Sequence, residues 1–76
     1  MPTLALLSPC KTTMFAADHN PPHFHLMAND GGQALVEIKG LTVIRGKVNA
    51  AALKEALSWA RQNWAALAVR WKELNP

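Results

Sequence analysis

The residue pattern of this 76-residue chain changes near Asn49, and that change limits the folds it can adopt. Before Asn49, short apolar stretches are separated by turn-forming residues, which is typical of strands joined by hairpins. After Asn49, alanine, leucine and tryptophan recur at helical spacing, and no glycine or proline interrupts them until Pro76. The pattern predicts an α+β fold in a single domain over residues 1–76, with a β-rich part over 1–48 and a helical part over 49–75.

The β-rich part divides into short segments that predict a small, mostly antiparallel sheet of four to five strands. The predicted ranges are 3–7, 12–17, 24–28, 33–39 and 41–45. Asn29-Asp30-Gly31-Gly32 tolerate the positive φ angles of tight hairpin turns, so the third and fourth strands should pair antiparallel. In the fourth strand, Ala34, Val36 and Ile38 alternate with Leu35, Glu37 and Lys39, which indicates a half-buried strand.

The segment after Asn49 predicts one long C-terminal helix packed on the sheet. Asparagine is a good helix N-cap, and the residues that follow Asn49 are strong helix formers. The apolar residues of this segment form one seam along the helix: Leu53, Leu57, Ala60, Trp64, Leu67, Trp71 and Leu74. Such a seam packs against a sheet or against a second copy of the chain. Gln62 and Asn63 hold a helix weakly, so a break at that point is the alternative.

Composition narrows the functional classes. Half of the residues are hydrophobic and 17% are charged, which favours a compact core and leaves apolar surface for a homodimer or a small partner protein. Cys10 is the single cysteine, so we expect no internal disulfide and a cytoplasmic location. No apolar run reaches the length of a membrane span, so no membrane partner is expected. The net charge of +3 keeps nucleic acid among the candidate ligands.

All three histidines lie in the octapeptide Asp18-His19-Asn20-Pro21-Pro22-His23-Phe24-His25. Histidine titrates near neutral pH and is the commonest metal ligand. On an extended strand His23 and His25 point to the same face, with Cα atoms about 6.6 Å apart. A bend at the two prolines would bring the preceding side chains toward the same point, and such a set suits zinc or another first-row divalent metal. The candidate metal ligands are therefore Asp18, His19, His23 and His25.

Two other interpretations fit the same octapeptide. His23 and His25 on either side of a phosphodiester are candidate catalytic residues, one as general base and the other as general acid in metal-free RNA cleavage. In the structural interpretation the histidines donate to backbone carbonyls in a turn and face solvent, while Phe24 points to the core. The protein is then a non-enzymatic interaction module. Metal binding requires convergent imidazoles, whereas acid–base catalysis requires a gap for substrate between them.

The octapeptide and its surroundings resemble the small bacterial family called domain of unknown function 4160. Further residues that carry the likeness are Met14-Phe15, Gly31-Gly32, Ala34, Val36-Glu37-Ile38, Leu41, Val43-Ile44, Gly46, Ala52-Leu53, Trp59-Ala60 and Trp71. The resemblance implies a short cytoplasmic protein, and the family's usual gene neighbourhood implies the toxin-like half of a toxin–antitoxin pair. Members commonly have a tyrosine where this chain has Met27-Ala28, and a mid-helix histidine where it has Asn63 and Trp64.

Overall fold

The structure of the protein is a computed structural model that describes residues 3–16 and 21–75. Within these ranges the β-rich part forms a five-stranded sheet in which every neighbouring pair is antiparallel. Its strands are β1 (Thr3–Leu6), β2 (Cys10–Thr13), β3 (His23–Ala28), β4 (Gln33–Glu37) and β5 (Thr42–Lys47). Spatial order follows chain order, so β3 lies at the centre of the sheet. The predicted α+β class and small antiparallel sheet are confirmed.

The second strand starts earlier than its predicted range of 12–17. Leu7 and Cys10 exchange backbone hydrogen bonds, with N···O distances of 2.8 and 3.3 Å. Ser8 and Pro9 therefore form a two-residue loop, and antiparallel pairing resumes at Cys10. The strand ends at Thr13, and residue 17 of the predicted range lies outside the described residues.

The β3–β4 hairpin matches its prediction and is tied to the start of the helical part. Gly31 has a φ of 97°, which the turn requires. The Asp30 carboxylate accepts a hydrogen bond from the backbone N–H of Gly32 at 3.0 Å and another from the Asn49 side chain at 3.1 Å. Asn49 in turn accepts from the backbone N–H of Ala52 at 2.8 Å, as a helix N-cap does. One carboxylate thus links the hairpin turn to the helix N-terminus.

The prediction of one long C-terminal helix is wrong, because the helix breaks at Asn63 into α1 (Ala50–Gln62) and α2 (Trp64–Leu74). The Asn63 side chain donates to the Trp59 carbonyl at 2.8 Å, so it competes with the backbone for a helical acceptor. The indole N–H of Trp64 donates to the Ile38 carbonyl at 2.7 Å. This bond fixes the first residue of α2 to the segment after β4 and gives the second helix its own direction.

Both helices contribute to a core on one face of the sheet. The buried hydrophobic residues of this core are Cys10, Met14, Phe24, Leu26, Ala28, Val36, Ile38, Ala52, Ala56, Ala60, Leu67 and Trp71. The predicted seam is corrected in α1, where Leu53 and Leu57 are half-buried and the buried stripe is Ala52, Ala56 and Ala60. Small side chains let the helix approach the sheet closely. Trp64, also placed in the seam, is 45% exposed because its indole reaches the rim at Ile38.

None of the helices in the described ranges is both long and apolar enough to cross a membrane.

Replacing Asn49 with alanine should lower the free energy of unfolding by about 1 kcal/mol, because the Ala52 N–H loses its capping acceptor. Asn49→Ser keeps a capping oxygen and serves as the matched control. Urea denaturation of both variants measures the difference. Equal stability of the alanine and serine variants would contradict the capping role of Asn49.

The pKa of the Asp30 carboxyl lies below its usual value of 3.8, first because the Gly32 N–H donates to it and then because the Asn49 side chain does. A carboxyl with a lowered pKa in the folded state stabilises the protein above its unfolded pKa, and this stabilisation disappears as the pH falls through the folded pKa. We therefore expect Asp30→Asn to lose less stability than the wild type when the pH is lowered past 3.8. Unfolding curves at several acidic pH values test this, and identical pH profiles would contradict it.

Candidate functional site

The central strand places His23 and His25 on one face of the sheet and Phe24 on the other. Strand β3 is paired on both edges, with His25 between Thr13 and Leu35. Side chains alternate along a strand, and Phe24 is fully buried in the core with its ring 5.8 Å from that of Trp59. The ring centroids of His23 and His25 lie 5.3 Å apart. The shared face of these two histidines is as the sequence predicts.

His23 is a buried residue, with 4% of its surface exposed. Its Nδ1 lies 2.7 Å from the carbonyl oxygen of Pro21. A carbonyl only accepts hydrogen bonds, so this Nδ1 carries a proton and the lone pair of the neutral ring is on Nε2. The ring of Trp71 lies 5.2 Å from the His23 ring and covers it. The expectation that both histidines face solvent is therefore wrong for His23.

His25 is half-buried and contacts a second aromatic side chain. The ring of Phe15 meets the His25 ring edge-on, with centroids 4.3 Å apart. The Asn75 side chain donates to the Phe15 carbonyl at 3.4 Å, so the residue after α2 is attached to the segment after β2. We call Phe15, His23, His25 and Trp71 the aromatic cluster. Sequence patterns do not indicate that Phe15 and Trp71 meet the histidines, although Trp71 is the last aromatic residue of the seam.

The structure brings together two of the four predicted metal ligands. Asp18 and His19 lie outside the described residues. Over residues 3–16 and 21–75, no three side chains of His, Cys, Asp or Glu form a group that would hold a metal ion. The described part of the site is therefore the pair His23 and His25.

The thiol of Cys10 lies on the opposite side of the sheet from the histidines. Cys10 pairs with Ala28, its side chain is in the core, and its Sγ is 3.7 Å from the Ala52 carbonyl oxygen. Burial raises the pKa of the Cys10 thiol, and the charge of Glu55 raises it further. The protonated thiol is a poor nucleophile and a poor metal ligand, which supports a structural role for Cys10.

An apolar cavity of about 470 Å³ adjoins His25 on the sheet face opposite Phe24, Leu26 and Val36. We call this face the open face. Strands β3, β4 and β5 form the floor of the cavity, and Phe15 forms a wall. Arg45 is the cationic residue of the cavity lining. In the strand register Leu35 lies between Arg45 and His25. His25 therefore belongs both to the aromatic cluster and to the lining of the cavity.

The family model described as domain of unknown function (DUF4160) matches residues 11–72. The matched range contains His23, His25, Phe15 and Trp71, and thus the whole aromatic cluster. No curated protein and no solved structure matches the chain significantly. Because the match spans most of the chain from β2 into α2, the protein belongs to the DUF4160 family.

Proposed function

We propose that the histidine segment binds a divalent metal ion such as zinc, with His23 and His25 as two of its ligands. The main support for this proposal is the 5.3 Å separation of the His23 and His25 ring centroids. Two imidazoles that bind one zinc ion tetrahedrally, at about 2.0–2.1 Å from each nitrogen, have centroids roughly 5 Å apart. The separation of the two rings is therefore compatible with a single ion bound by both histidines.

The hydrogen bond of His23 supports the same proposal. A histidine that binds a metal usually donates its other ring N–H to a carbonyl or carboxylate, which fixes the tautomer and the orientation of the ring. The Pro21 carbonyl, 2.7 Å from Nδ1, is such an acceptor, so Nε2 is the ligand atom of His23 in this proposal. Trp71 packs against this ring and restricts its rotation.

We further propose that Asp18 and His19 complete the coordination. They precede the rigid Pro21-Pro22 pair by three and two positions, so a bend there would direct them toward His23. Three imidazole nitrogens and a carboxylate form a donor set that zinc accepts. Displacement of the carboxylate by water or a substrate would open a coordination position for chemistry.

The metal proposal is preferred to metal-free RNA cleavage because of the contact between the rings. Centroids 5.3 Å apart are at the distance of touching aromatic rings, which leaves no room for a phosphodiester between them. The structural interpretation, in which the protein is an interaction module, has support from the same His23–Pro21 hydrogen bond. A metal titration separates it from the metal proposal.

Membership of the DUF4160 family adds a proposal about context. The resemblance favours a cytoplasmic, toxin-like half of a toxin–antitoxin pair, acting on nucleic acid or on a small partner protein. In that role the metal would polarise a phosphate oxygen or activate a water molecule. His23 would hold the ion through Nε2, and His25 would hold it at the edge of the cavity.

Zinc, nickel and manganese titrations, followed through the three histidine ring signals by NMR, test the proposed site. We expect the rings of His23 and His25 to respond up to one equivalent of metal. Loss of a ligand in His25→Gln should weaken binding by at least the roughly 10–100-fold typical of losing an outer-shell partner. The matched control is Cys10→Ala, which removes a soft ligand that faces the core and should leave the affinity unchanged.

Unchanged ring signals at stoichiometric metal would contradict the proposal and favour the structural role of the histidines. Equal weakening in Cys10→Ala and His25→Gln would also contradict it, since it would indicate a site that does not depend on the histidine face. Circular dichroism of each variant establishes that it is folded before its affinity is compared.

RNA incubated with the protein in excess chelator tests the metal-free mechanism. We expect no cleavage under these conditions, because the contacting rings cannot enclose a phosphodiester. Cleavage in chelator that disappears in both His23→Ala and His25→Ala would overturn this expectation. Cleavage that survives both substitutions would exclude the two histidines from the reaction.

A further inference from the structure

We propose that the open face of the sheet binds a small organic anion with an apolar body, such as an aliphatic or aryl carboxylate, and that Arg45 holds its charge. This goes beyond the metal proposal and does not depend on it. The cavity volume of about 470 Å³ lies within the range of small-molecule sites, about 300–1,000 Å³. Its lining is mainly apolar, with few polar groups to orient a ligand, as is usual for such sites.

A β-bulge in β5 directs Arg45 into this cavity. The register pairs Leu35 with Arg45 but Val36 with Val43, so Ile44 is an extra residue without a partner position in β4. Val43 packs against the core. In a regular strand Arg45, two residues later, would point to the same side as Val43. The bulge reverses that direction and places Arg45 beside Leu35 on the open face.

The residue after Arg45 makes this bulge dependent on glycine. Gly46 has a φ of 80°, in the left-handed region that other residues rarely adopt. A Cβ atom at this position would lie 2.3 Å from the backbone oxygen of Gln33, which cannot move without breaking the β4–β5 pairing. The backbone of β5 is thus constrained at the point where it turns Arg45 toward the cavity. Bulges are frequent beside functional sites because they redirect a side chain in this way.

The charges around the cavity favour an anion. No acidic side chain in the described ranges forms an ion pair with Arg45, whereas Arg70 is paired with Glu73 on α2. Lys11 and Lys47 lie in the neighbouring cross-strand row on the open face, on either side of Met27 and Gln33. A guanidinium presents a planar pair of N–H donors that matches a carboxylate.

The apolar body of the ligand has a defined place. Leu35 separates Arg45 from His25 in one cross-strand row, and Met27 lies beside them in the next row. Strands about 4.8 Å apart place the backbones of Arg45 and His25 roughly 10 Å from each other. A carboxylate at Arg45 would therefore lay a body of that length over Leu35 and Met27, with its far end against Phe15. Octanoate and 3-phenylpropanoate have suitable dimensions.

NMR titration with octanoate and 3-phenylpropanoate in excess chelator tests the inference without any contribution from metal. We expect shifts in the backbone amides of the open-face residues of β3, β4 and β5, and a Kd of about 1 mM or tighter for a ligand of this size. Arg45→Gln should weaken binding about tenfold, since a charge-assisted pair is lost. The matched control, Arg61→Gln, changes an exposed arginine on α1 and should have no effect.

Several outcomes would overturn the inference. The first is equal binding of octanoate and its neutral analogue octanamide, and the second is equal affinity in wild type and Arg45→Gln. A third is tight binding of a short single-stranded RNA to the same amides with no response to either carboxylate, which would assign the face to nucleic acid. Because chelator is present throughout, failure here is distinguishable from failure of the metal titration.

Discussion

Strand β3 is hydrogen-bonded to a neighbour along both of its edges, and the rest of the structure depends on this double pairing. It fixes the register in which Phe24 enters the core against Trp59 and His25 lies between Thr13 and Leu35. A slip by one residue would exchange the two faces, burying imidazoles in the core and exposing the phenylalanine. The free energy gained by burying one aromatic ring therefore also positions the histidine pair.

The break at Asn63 matters to the site because it allows α2 to approach the end of β3. The Trp64 indole is bound to the Ile38 carbonyl, and from there α2 carries Trp71 over the ring of His23. Asn75 then donates to the Phe15 carbonyl and ties the last turn to the segment after β2. A helix that continued straight from α1 would be free of these contacts. Burial of His23 is thus a consequence of how the second helix is attached.

Local patterns were sufficient to predict the parts of the fold that depend on neighbouring residues. The Asn29-Asp30-Gly31-Gly32 turn defines its hairpin, and the period of two along β3 predicts the shared face of His23 and His25. The features that local patterns do not predict depend on residues distant in the chain. His23 is covered by Trp71, 48 residues later in the chain, and the direction of α2 depends on a bond across the sheet rim.

The bulge at Ile44 is the clearest case of information that the local sequence does not contain. Val43-Ile44-Arg45 has the pattern of an ordinary strand, and only its pairing with β4 makes Ile44 the extra residue. Gly46 is a visible sign of irregular backbone, but it does not reveal which side chain changes direction. The position of Arg45 in the cavity, opposite His25, follows from pairing and from nothing nearer in the chain.

X-ray absorption at the zinc edge, on protein loaded with one equivalent of zinc, tests the metal assignment most directly. We expect nitrogen and oxygen ligands at about 2.0–2.1 Å, with the multiple scattering of at least two imidazoles. Substituting His25 should remove one imidazole from that signal. A spectrum without imidazole scattering, or one with sulfur at about 2.3 Å as expected for a thiolate ligand, would contradict the account.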